Sequence, residues 1–168
     1  MNYLIVVDMQ KDFISGSLGS DRAAAIVPAV VDKVRKFDGT VIFTRDAHTE
    51  KYLRTLEGRK LPVEHCIRGT AGYEICDELK PYAETVVDKP SFGSLELPEV
   101  LKRGRSRVEK IELCGLCTDI CVISNAMILK AAFPETDIVV DSACCAGVSE
   151  ESHRNALAAM KAVQIDII

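Results

Sequence analysis

The chain has 168 residues, of which 48% are hydrophobic, 21 are Lys or Arg and 25 are Asp or Glu, giving a net charge of −4. This length and composition suit one globular domain with a single core. The acidic balance, without a dense Lys/Arg stripe, argues against a nucleic-acid-binding protein, and no apolar run reaches membrane length, so we expect neither nucleic acid nor a membrane as a partner.

The first residues, NYLIVVD, enter an apolar run directly, without the basic and small-residue features of a signal peptide. Seven cysteines in such a chain are typical of a reducing compartment, and an odd number cannot complete a disulfide framework. We therefore expect free thiols and a cytoplasmic location. The basic run KRGRSR at 102–107 separates a helix pattern from a strand pattern, and we interpret it as a solvated loop.

Short β-branched runs alternate with longer amphipathic stretches along the chain. The predicted strands, in chain order, are 3–8, 40–46, 85–89, 108–115, 137–143 and 164–168. The predicted helices are 21–37, 72–80, 95–104, 118–133 and 149–163. Ser20 or Asp21 is the expected cap of the first long helix, and Ser149 with Ser152 or Glu151 is the expected capping box of the last.

Six strands that alternate with helices predict the α/β class, in which helices cover both faces of a parallel sheet. Right-handed crossovers then give a single-domain three-layer α/β/α sandwich with a six-stranded, mainly parallel sheet over residues 1–168. The polar segment 47–71 is too long for an ordinary connection, and long segments of this kind are usually functional.

Residues capable of chemistry follow several predicted strands. The first strand ends at Asp8, the second at Asp46 with His48 two residues later, and the third at Lys89. The fourth leads into the cysteine-rich stretch ELCGLCTDICVIS at 112–124. Each Asp alone is more simply explained as a loop cap. Because ligands bind at the carboxyl ends of strands in such sheets, the conjunction of acid, base and thiol indicates an active site.

The three cysteines of this stretch have different predicted roles. A zinc knot would need a second ligand pair nearby, and a redox Cys-x-x-Cys pair usually opens a helix, whereas here Thr118 is the expected N-cap, after that pair. Cys121 then falls in the first helical turn, where unpaired N–H groups and the helix dipole favour a thiolate nucleophile. Cys114 is expected in the core. Structural roles are also expected for Cys66, Cys76, Cys144 and Cys145.

Five motifs, in this order, resemble those of the isochorismatase-like cysteine hydrolases, most closely the nicotinamidase branch. The motifs are VVDMQKDF (6–13), TRDAH (44–48), LPVEHCIRGTAGYE (61–74), DKPSFGS (88–94) and GLCTDICV (115–122). Each is weak alone, but all five together are specific, and the resemblance covers essentially the whole chain. It implies one isochorismatase-like hydrolase domain over residues 1–168.

The resemblance implies a catalytic triad of Asp8, Lys89 and Cys121. It also implies a cis peptide bond between Cys117 and Thr118, which would direct the backbone N–H groups of Cys117 or Thr118 and of Cys121 towards one oxyanion. The implied reaction begins when Asp8 takes the thiol proton and the thiolate attacks a carboxamide carbon. A thioester forms, ammonia leaves, and water hydrolyses the thioester.

A divalent metal ion is a further implication of the resemblance. Asp46, His48 and His65 match the metal ligands of the nicotinamidase branch, with Glu57 as the candidate fourth ligand. Zinc is the expected ion, with manganese and iron as alternatives. The alternative for the two histidines is that both are ordinary loop residues. The third histidine, His153, is expected on the surface of the last helix.

Nicotinamide is the substrate that the resemblance favours. Phe13 is the candidate ring-stacking residue, and Tyr52 or Phe92 is a candidate second wall. Leu61 stands where the family often has an aromatic residue, and the chain has no Trp, so another small heteroaromatic amide also fits. Two alternatives are a metal-free amidohydrolase of ureido or carbamoyl compounds and a catalytically silent binding homologue. The family resemblance also implies a homo-oligomer.

Overall fold

The computed structural model describes residues 1–104 and 107–168, and its centre is a six-stranded sheet in which every neighbouring pair is parallel. The strands are β1 (Asn2–Val7), β2 (Thr40–Asp46), β3 (Val86–Lys89), β4 (Lys110–Leu116), β5 (Asp137–Ala146) and β6 (Asp166–Ile167). Their order across the sheet is β3-β2-β1-β4-β5-β6. This all-parallel sheet confirms the predicted α/β sandwich, and its strand order reverses direction between β1 and β4.

Helices complete the outer layers. They are α1 (Lys11–Ile14), α2 (Asp21–Lys36), α3 (Leu56–Lys60), α4 (Glu96–Lys102), α5 (Ile123–Ala132) and α6 (Glu150–Ala162). A π-helical turn, Thr118–Val122, leads into α5, and short 3₁₀ turns lie at Tyr52–Arg54, Ala71–Tyr73 and Lys80–Tyr82. Helix α2 packs against β4 and β5, while α5 contacts both α4 and α6.

The two longest amphipathic helices begin where the capping residues predict. The Ser20 hydroxyl accepts a hydrogen bond from the Ala23 backbone N–H at 3.1 Å. Ser149 and Ser152 form the capping box of α6, in which each side chain bonds the backbone of the other residue. Both helix starts are therefore specified locally by the sequence.

The middle of the sheet is apolar on both faces because helices cover both. Leu4, Ile5, Val6 and Val7 of β1 and Leu113 of β4 have no exposed surface. Such continuous burial explains why these strands show unbroken apolar runs rather than alternation.

Three local predictions need correction. The helix predicted at 72–80 is wrong, because residues near Ile75 extend along the segment after β1, with Cys76 N–H bonded to Met9 O and Lys11 N–H bonded to Glu74 O. The segment 47–71, expected to be irregular throughout, contains the short helix α3. Strand β5 continues to Ala146, so Cys144 and Cys145 lie within the strand rather than after it.

Two further predictions concern the basic run at 102–107 and membrane-spanning helices. In the basic run at 102–107, Arg105 and Ser106 lie outside the described residues, so its loop structure stays a prediction. None of the helices within 1–104 and 107–168 combines the length and the apolar character needed to cross a bilayer.

Candidate functional site

Four strands deliver side chains to one edge of the sheet. Asp8 follows β1, Asp46 ends β2, Lys89 ends β3, and Cys121 lies in the π-helical turn after β4. Strands β1 and β4 are neighbours at the point where the strand order reverses. The structure thus brings the acid, base and thiol of the sequence analysis to the switch point of the sheet.

The Asp8 carboxylate is held by its own strand end and by β2. Its backbone has φ of 48°, a conformation that Asp tolerates better than most residues, and its N–H bonds the carbonyl of Thr44 at 3.2 Å. The Thr44 hydroxyl donates to Asp8 Oδ1 at 2.6 Å. The second oxygen, Oδ2, is left to face Lys89.

Lys89 is a fully buried cation with anionic groups on several sides. Its Nζ lies 2.6 Å from Asp8 Oδ2, 3.7 Å from Asp46 Oδ1 and 3.5 Å from Cys121 Sγ, and it also donates to Ser91 O at 3.0 Å. Burial opposes the charge, but the anions around it raise the pKa of Lys89 above its usual value. The side chain therefore remains an ammonium ion between the acid and the thiol.

Burial governs the protonation of the other two members of this group. It raises the pKa of Cys121 well above its usual value, and the charge of Asp8 adds to that effect while Lys89 opposes it. Burial also raises the pKa of Asp8, and Lys89 offsets only part of the rise. Burial therefore opposes the thiolate that the helix end favours, and Lys89 acts against burial.

The turn that carries Cys121 differs in detail from the prediction. Cys121 does lie in the first turn, but the cap position is Cys117, and no side chain caps the turn. The Thr118 hydroxyl instead lies 2.8 Å from Nδ1 of His153, which is half-buried rather than on the surface. The cis peptide bond joins Leu116 to Cys117, one residue before the predicted Cys117–Thr118 bond.

A second group of side chains lies beside Lys89. Single ligand atoms of Asp46, His48, Glu57 and His65 all lie within 4.8 Å of one another. His48 Nε2 is 2.9 Å from Asp46 Oδ2 and 3.5 Å from Glu57 Oε1. His65 Nε2 is 3.4 Å and 3.6 Å from the same two oxygens. The structure thus brings together the four residues that the family resemblance implies as metal ligands.

The spacing of these atoms fits a small divalent ion. Ligands about 2.1 Å from a tetrahedral ion lie roughly 3.4 Å apart, close to the four distances between nitrogen and oxygen. His65 Nδ1 lies 2.8 Å from the carbonyl of Val63, a partner that fixes the ring with Nε2 free to bind. Two imidazoles and two carboxylates suit zinc, manganese or iron. This cluster can therefore hold a divalent metal ion.

Asp46 connects the two groups. One oxygen, Oδ2, faces the histidines, and the other, Oδ1, faces Lys89. Burial alone would raise the pKa of Asp46, yet the hydrogen bonds from His48 and His65 hold it well below its usual value. A permanently ionised Asp46 links the charge of Lys89 to the metal cluster.

A small cavity of about 50 Å³ lies in front of Cys121. Its walls include the Cys117 and Cys121 side chains, Phe13 and Phe92, together with Leu18, Asp46, Glu57, Leu61, His65 and Ile120. Phe13 and Phe92 thus lie where stacking residues were expected. Tyr52 does not fit that role, because it is fully buried with its ring 4.7 Å and 4.9 Å from the imidazoles of His48 and His65.

Two buried amides were missed by the sequence analysis. The Gln10 side chain bonds both backbone groups of Asp46 and the carbonyl of Tyr73. Asn125 donates to the carbonyls of Cys121 and Phe92 and accepts from the Ser94 N–H. A polar residue inside a mainly apolar stretch is a signal that could have identified Asn125, whereas Gln10 lies among polar residues and gives no such signal. Each amide fixes the loop that carries a site residue.

A carboxylate on the reverse side of β3 was also missed. Asp88 Oδ1 accepts from Arg45 Nε at 2.8 Å, and Oδ2 accepts from Arg68 at 3.1 Å and from the Tyr73 hydroxyl. The Arg45 guanidinium stacks 4.2 Å from the Tyr73 ring centre, and the Arg68 N–H bonds His48 O. Asp88 therefore anchors both the start and the end of the segment that carries His48, Glu57 and His65.

Comparisons with known proteins all point to one family. The model of the isochorismatase domain matches residues 2–168. The nicotinamidase/pyrazinamidase of Mycobacterium tuberculosis is 27% identical, over 100% of this chain and 98% of its own. The crystal structure of Pyrococcus horikoshii pyrazinamidase in complex with zinc has a TM-score of 0.86 and 28% identity, covering 99% of this chain and 98% of that chain. The pyrazinamidase/nicotinamidase of Streptococcus mutans has a TM-score of 0.84 and 27% identity over 100% of both chains.

Proposed function

Because the chain belongs to the isochorismatase family, we propose that it is a cysteine-dependent amidohydrolase that converts nicotinamide, or a similar small heteroaromatic amide, to the acid and ammonia. The observation that carries this proposal is the buried group of Asp8, Lys89 and Cys121, in which one ammonium lies 2.6 Å from the carboxylate and 3.5 Å from the sulfur. The names of the similar proteins from Mycobacterium tuberculosis and Pyrococcus horikoshii support the amide as the substrate class.

The first half-reaction uses Asp8 as the base. Its carboxylate takes the proton from Cys121 Sγ, and the sulfur attacks the carbonyl carbon of the amide. Burial, which raises the pKa of Asp8, makes the carboxylate a better proton acceptor, and Lys89 stabilises the thiolate while it exists. Asp8 then gives the proton to the leaving nitrogen, ammonia departs, and the acyl group remains on Cys121 as a thioester.

In the second half-reaction, water is the nucleophile and the sulfur is the leaving group. Asp8 takes a proton from water, the hydroxide attacks the thioester, and the acid leaves as the sulfur regains its proton. The backbone N–H groups of Cys117 or Thr118 and of Cys121 are the proposed donors to the oxyanion in both steps. Each well-placed donor of this kind is worth roughly 3–4 kcal/mol.

Asp46, His48, Glu57 and His65 would hold the divalent ion beside this group. Such an ion would supply a Lewis acid for a ring nitrogen of the substrate and would help to orient its carboxamide. Phe13 and Phe92 line the cavity at its apolar side and are proposed to sandwich the ring. Asp8 carries the proton between the sulfur and the substrate nitrogen, and Lys89 stabilises the charges beside it.

The test is to measure ammonia and nicotinate released from nicotinamide by the purified protein. We expect the two products in equal amounts from the wild-type protein and none above background from the Cys121→Ala variant. A wild-type protein that releases neither product from nicotinamide or from pyrazinamide would refute the proposed substrate class.

A further inference from the structure

A second cavity lies beside the small one that faces Cys121. The inner cavity has a volume of about 50 Å³. The outer cavity has about 610 Å³, within the range of about 300–1,000 Å³ that is typical of sites for drug-sized ligands. Both are bounded by Glu57, Leu61, Phe92 and Ile120. The two cavities are therefore neighbours that share part of their wall.

The outer cavity is partly apolar. Half of its lining residues are apolar, namely Leu56, Leu61, Pro90, Phe92 and Ile120. The polar ones are Thr55, Lys60 and Ser91, together with His48 and Glu57 of the metal cluster. Leu56 is 62% exposed, Phe92 42% and Leu61 39%, although all three are large apolar side chains. Exposed apolar side chains gathered around one opening, rather than scattered singly, mark a surface that binds something apolar.

Two anchors hold the substrate in the proposed reaction, namely Cys121 at its carboxamide and the metal cluster at its ring nitrogen. They determine which part of the substrate can reach the outer cavity. The carboxamide must lie in the inner cavity at Cys121, and the metal cluster lies along the same wall, with Glu57 bordering both cavities. A substituent meta to both the carboxamide and the ring nitrogen points away from these two anchors. Leu61 and Phe92, which line both cavities, are the side chains that such a group would contact.

We propose that the outer cavity is a subsite for an apolar substituent, so that the protein prefers heteroaromatic amides larger than nicotinamide. This inference rests on the proposed amidase function and adds the substrate class to it. Apolar side chains shared with the reaction cavity favour part of the substrate as the occupant, rather than a second copy of the chain.

The experiment compares nicotinamide with 5-phenylnicotinamide, whose phenyl group is meta to both anchors. For each protein we take the ratio of kcat/KM for 5-phenylnicotinamide to kcat/KM for nicotinamide. The variant is Leu56→Ser, which removes an apolar wall of the outer cavity. The matched control is Leu53→Ser, since Leu53 is 48% exposed in the same segment but lies outside the cavity wall.

We expect a ratio above one for the wild-type protein, a fall of roughly three- to tenfold in Leu56→Ser, as for the loss of part of one leucine contact, and no change in Leu53→Ser. Bound metal and nicotinamide turnover should stay at wild-type levels in both variants. A ratio that is the same in all three proteins, or that falls equally in both variants, overturns the subsite. A changed oligomeric state in Leu56→Ser with an unchanged ratio overturns it as well and assigns the surface to a second copy.

A binding measurement separates failure of the subsite from failure of the proposed function. Calorimetry with the Cys121→Ala protein compares the affinities of the two amides without turnover. Tighter binding of 5-phenylnicotinamide, lost in Leu56→Ser/Cys121→Ala, supports the subsite even if neither amide is hydrolysed, a result that would contradict the amidase function alone. Binding of 5-phenylnicotinamide that is no tighter than that of nicotinamide contradicts the subsite, whatever the turnover.

Discussion

Lys89 faces three groups that can carry negative charge, namely Asp8, Asp46 and Cys121, and none of the four has more than 4% of its surface exposed. An uncompensated buried charge costs several kcal/mol, and the Lys89 ammonium is shared between the two carboxylates. The contacts of Asp46 with the two histidines also lower the pKa of its carboxyl. In the proposed mechanism, Asp8 and Cys121 exchange one proton beside this ammonium.

The first prediction follows from that shared proton. Asp8→Asn and Cys121→Ala should each reduce ammonia release to background, because a neutral amide cannot take the proton and a methyl group cannot attack. Since the two act as a unit, the double variant should be no worse than either single variant. Ammonia release and circular dichroism on the three proteins provide the test. A double variant much less active than both, with the fold retained, would show that the residues act separately.

The second prediction concerns the close approach of β1 and β4 at the switch point. Gly115 has φ of 115°, and a Cβ there would collide with the carbonyl oxygen of Val7. Gly69 also has positive φ, of 83°, but a Cβ there meets nothing within 4 Å. Gly69→Ala should cost only the conformational strain of about 1–2 kcal/mol, and Gly115→Ala should cost more. Equal losses of unfolding free energy in urea would contradict this difference.

Single residues also mark the limit of the sequence analysis. Strand ends and one helix start are local patterns, so the sequence predicts that Asp8, Lys89 and Cys121 lie at one edge of the sheet, where the structure places them. The helix end at Cys121 is visible in the sequence, whereas the burial that raises the pKa of its thiol is not. The sequence analysis missed Gln10 because the backbone groups that this amide bonds, those of Asp46 and Tyr73, lie 36 and 63 positions away.

At the scale of elements, the segment between β2 and β3 carries three of the four residues of the metal cluster. It contains only short elements, the 3₁₀ turns and α3, so its position depends on contacts with the sheet. Asp88 provides several of these contacts by accepting from Arg45, Arg68 and Tyr73. A carboxylate on the reverse side of β3 thus positions histidines on the reactive side.

The third prediction tests that role of Asp88. Asp88→Asn should lower the affinity for zinc, but by less than the roughly 10–100-fold that direct partners of metal ligands contribute, because Asp88 acts through Arg45, Arg68 and Tyr73. The matched control is Asp77→Asn, which removes an exposed carboxylate paired with Lys11 at 2.7 Å and should have no effect. Zinc affinity from competition with a chelator is the measurement. Equal affinities in the wild-type protein and both variants would contradict the role.

The fourth prediction is the pH dependence of the same carboxylate. Burial alone would raise the pKa of Asp88, but the hydrogen bonds from Tyr73 and Arg45 lower it below its usual value of 3.8. A depressed pKa contributes stability that is present above the unfolded-state value and is lost as the pH falls through the folded-state value. The difference in unfolding free energy between wild type and Asp88→Asn should therefore be largest near pH 7 and shrink below pH 3.8. A difference that grows on acidification would contradict this sign.

Elements with strong local signals were predicted well, and those that depend on distant pairing were not. Helix α2 has a serine cap and clear periodicity, and its predicted bounds differ by one residue from Asp21–Lys36. Residues 72–80 have helix-like spacing, yet the chain after β1 pairs with them in extended form. Tertiary pairing overrode local propensity there, and no pattern within the segment records it.

At the scale of the whole molecule, the parallel sheet explains why distant residues meet. Its strand order reverses between β1 and β4, so the crevice at their carboxyl ends receives loops from both halves. The metal cluster lies over the half formed by β2 and β3, and Cys121 comes from the other half. The homo-oligomer implied by the family resemblance stays a prediction.

The fifth prediction separates the metal cluster from the nucleophile. His65→Ala should lose bound metal and most nicotinamide hydrolysis, because one of four ligand atoms is removed. His153→Ala is the matched control, since this third histidine bonds Thr118 and lies outside the cluster. Cys121 should stay reactive to a small alkylating agent in both variants, as Asp8 and Lys89 are intact. The measurements are metal content, turnover and alkylation rate, all on the same preparations. Full turnover in metal-depleted protein would contradict the role of the ion.

The thioester on Cys121 is the central claim, and trapping with hydroxylamine tests it most directly. Hydroxylamine should intercept the acyl group, so nicotinohydroxamic acid should replace nicotinate as its concentration rises. Ammonia release should not slow, and Cys121→Ala should give neither product. Steady production of nicotinate alone at every hydroxylamine concentration, or turnover that survives in Cys121→Ala, would contradict a thioester and show that water attacks the amide directly.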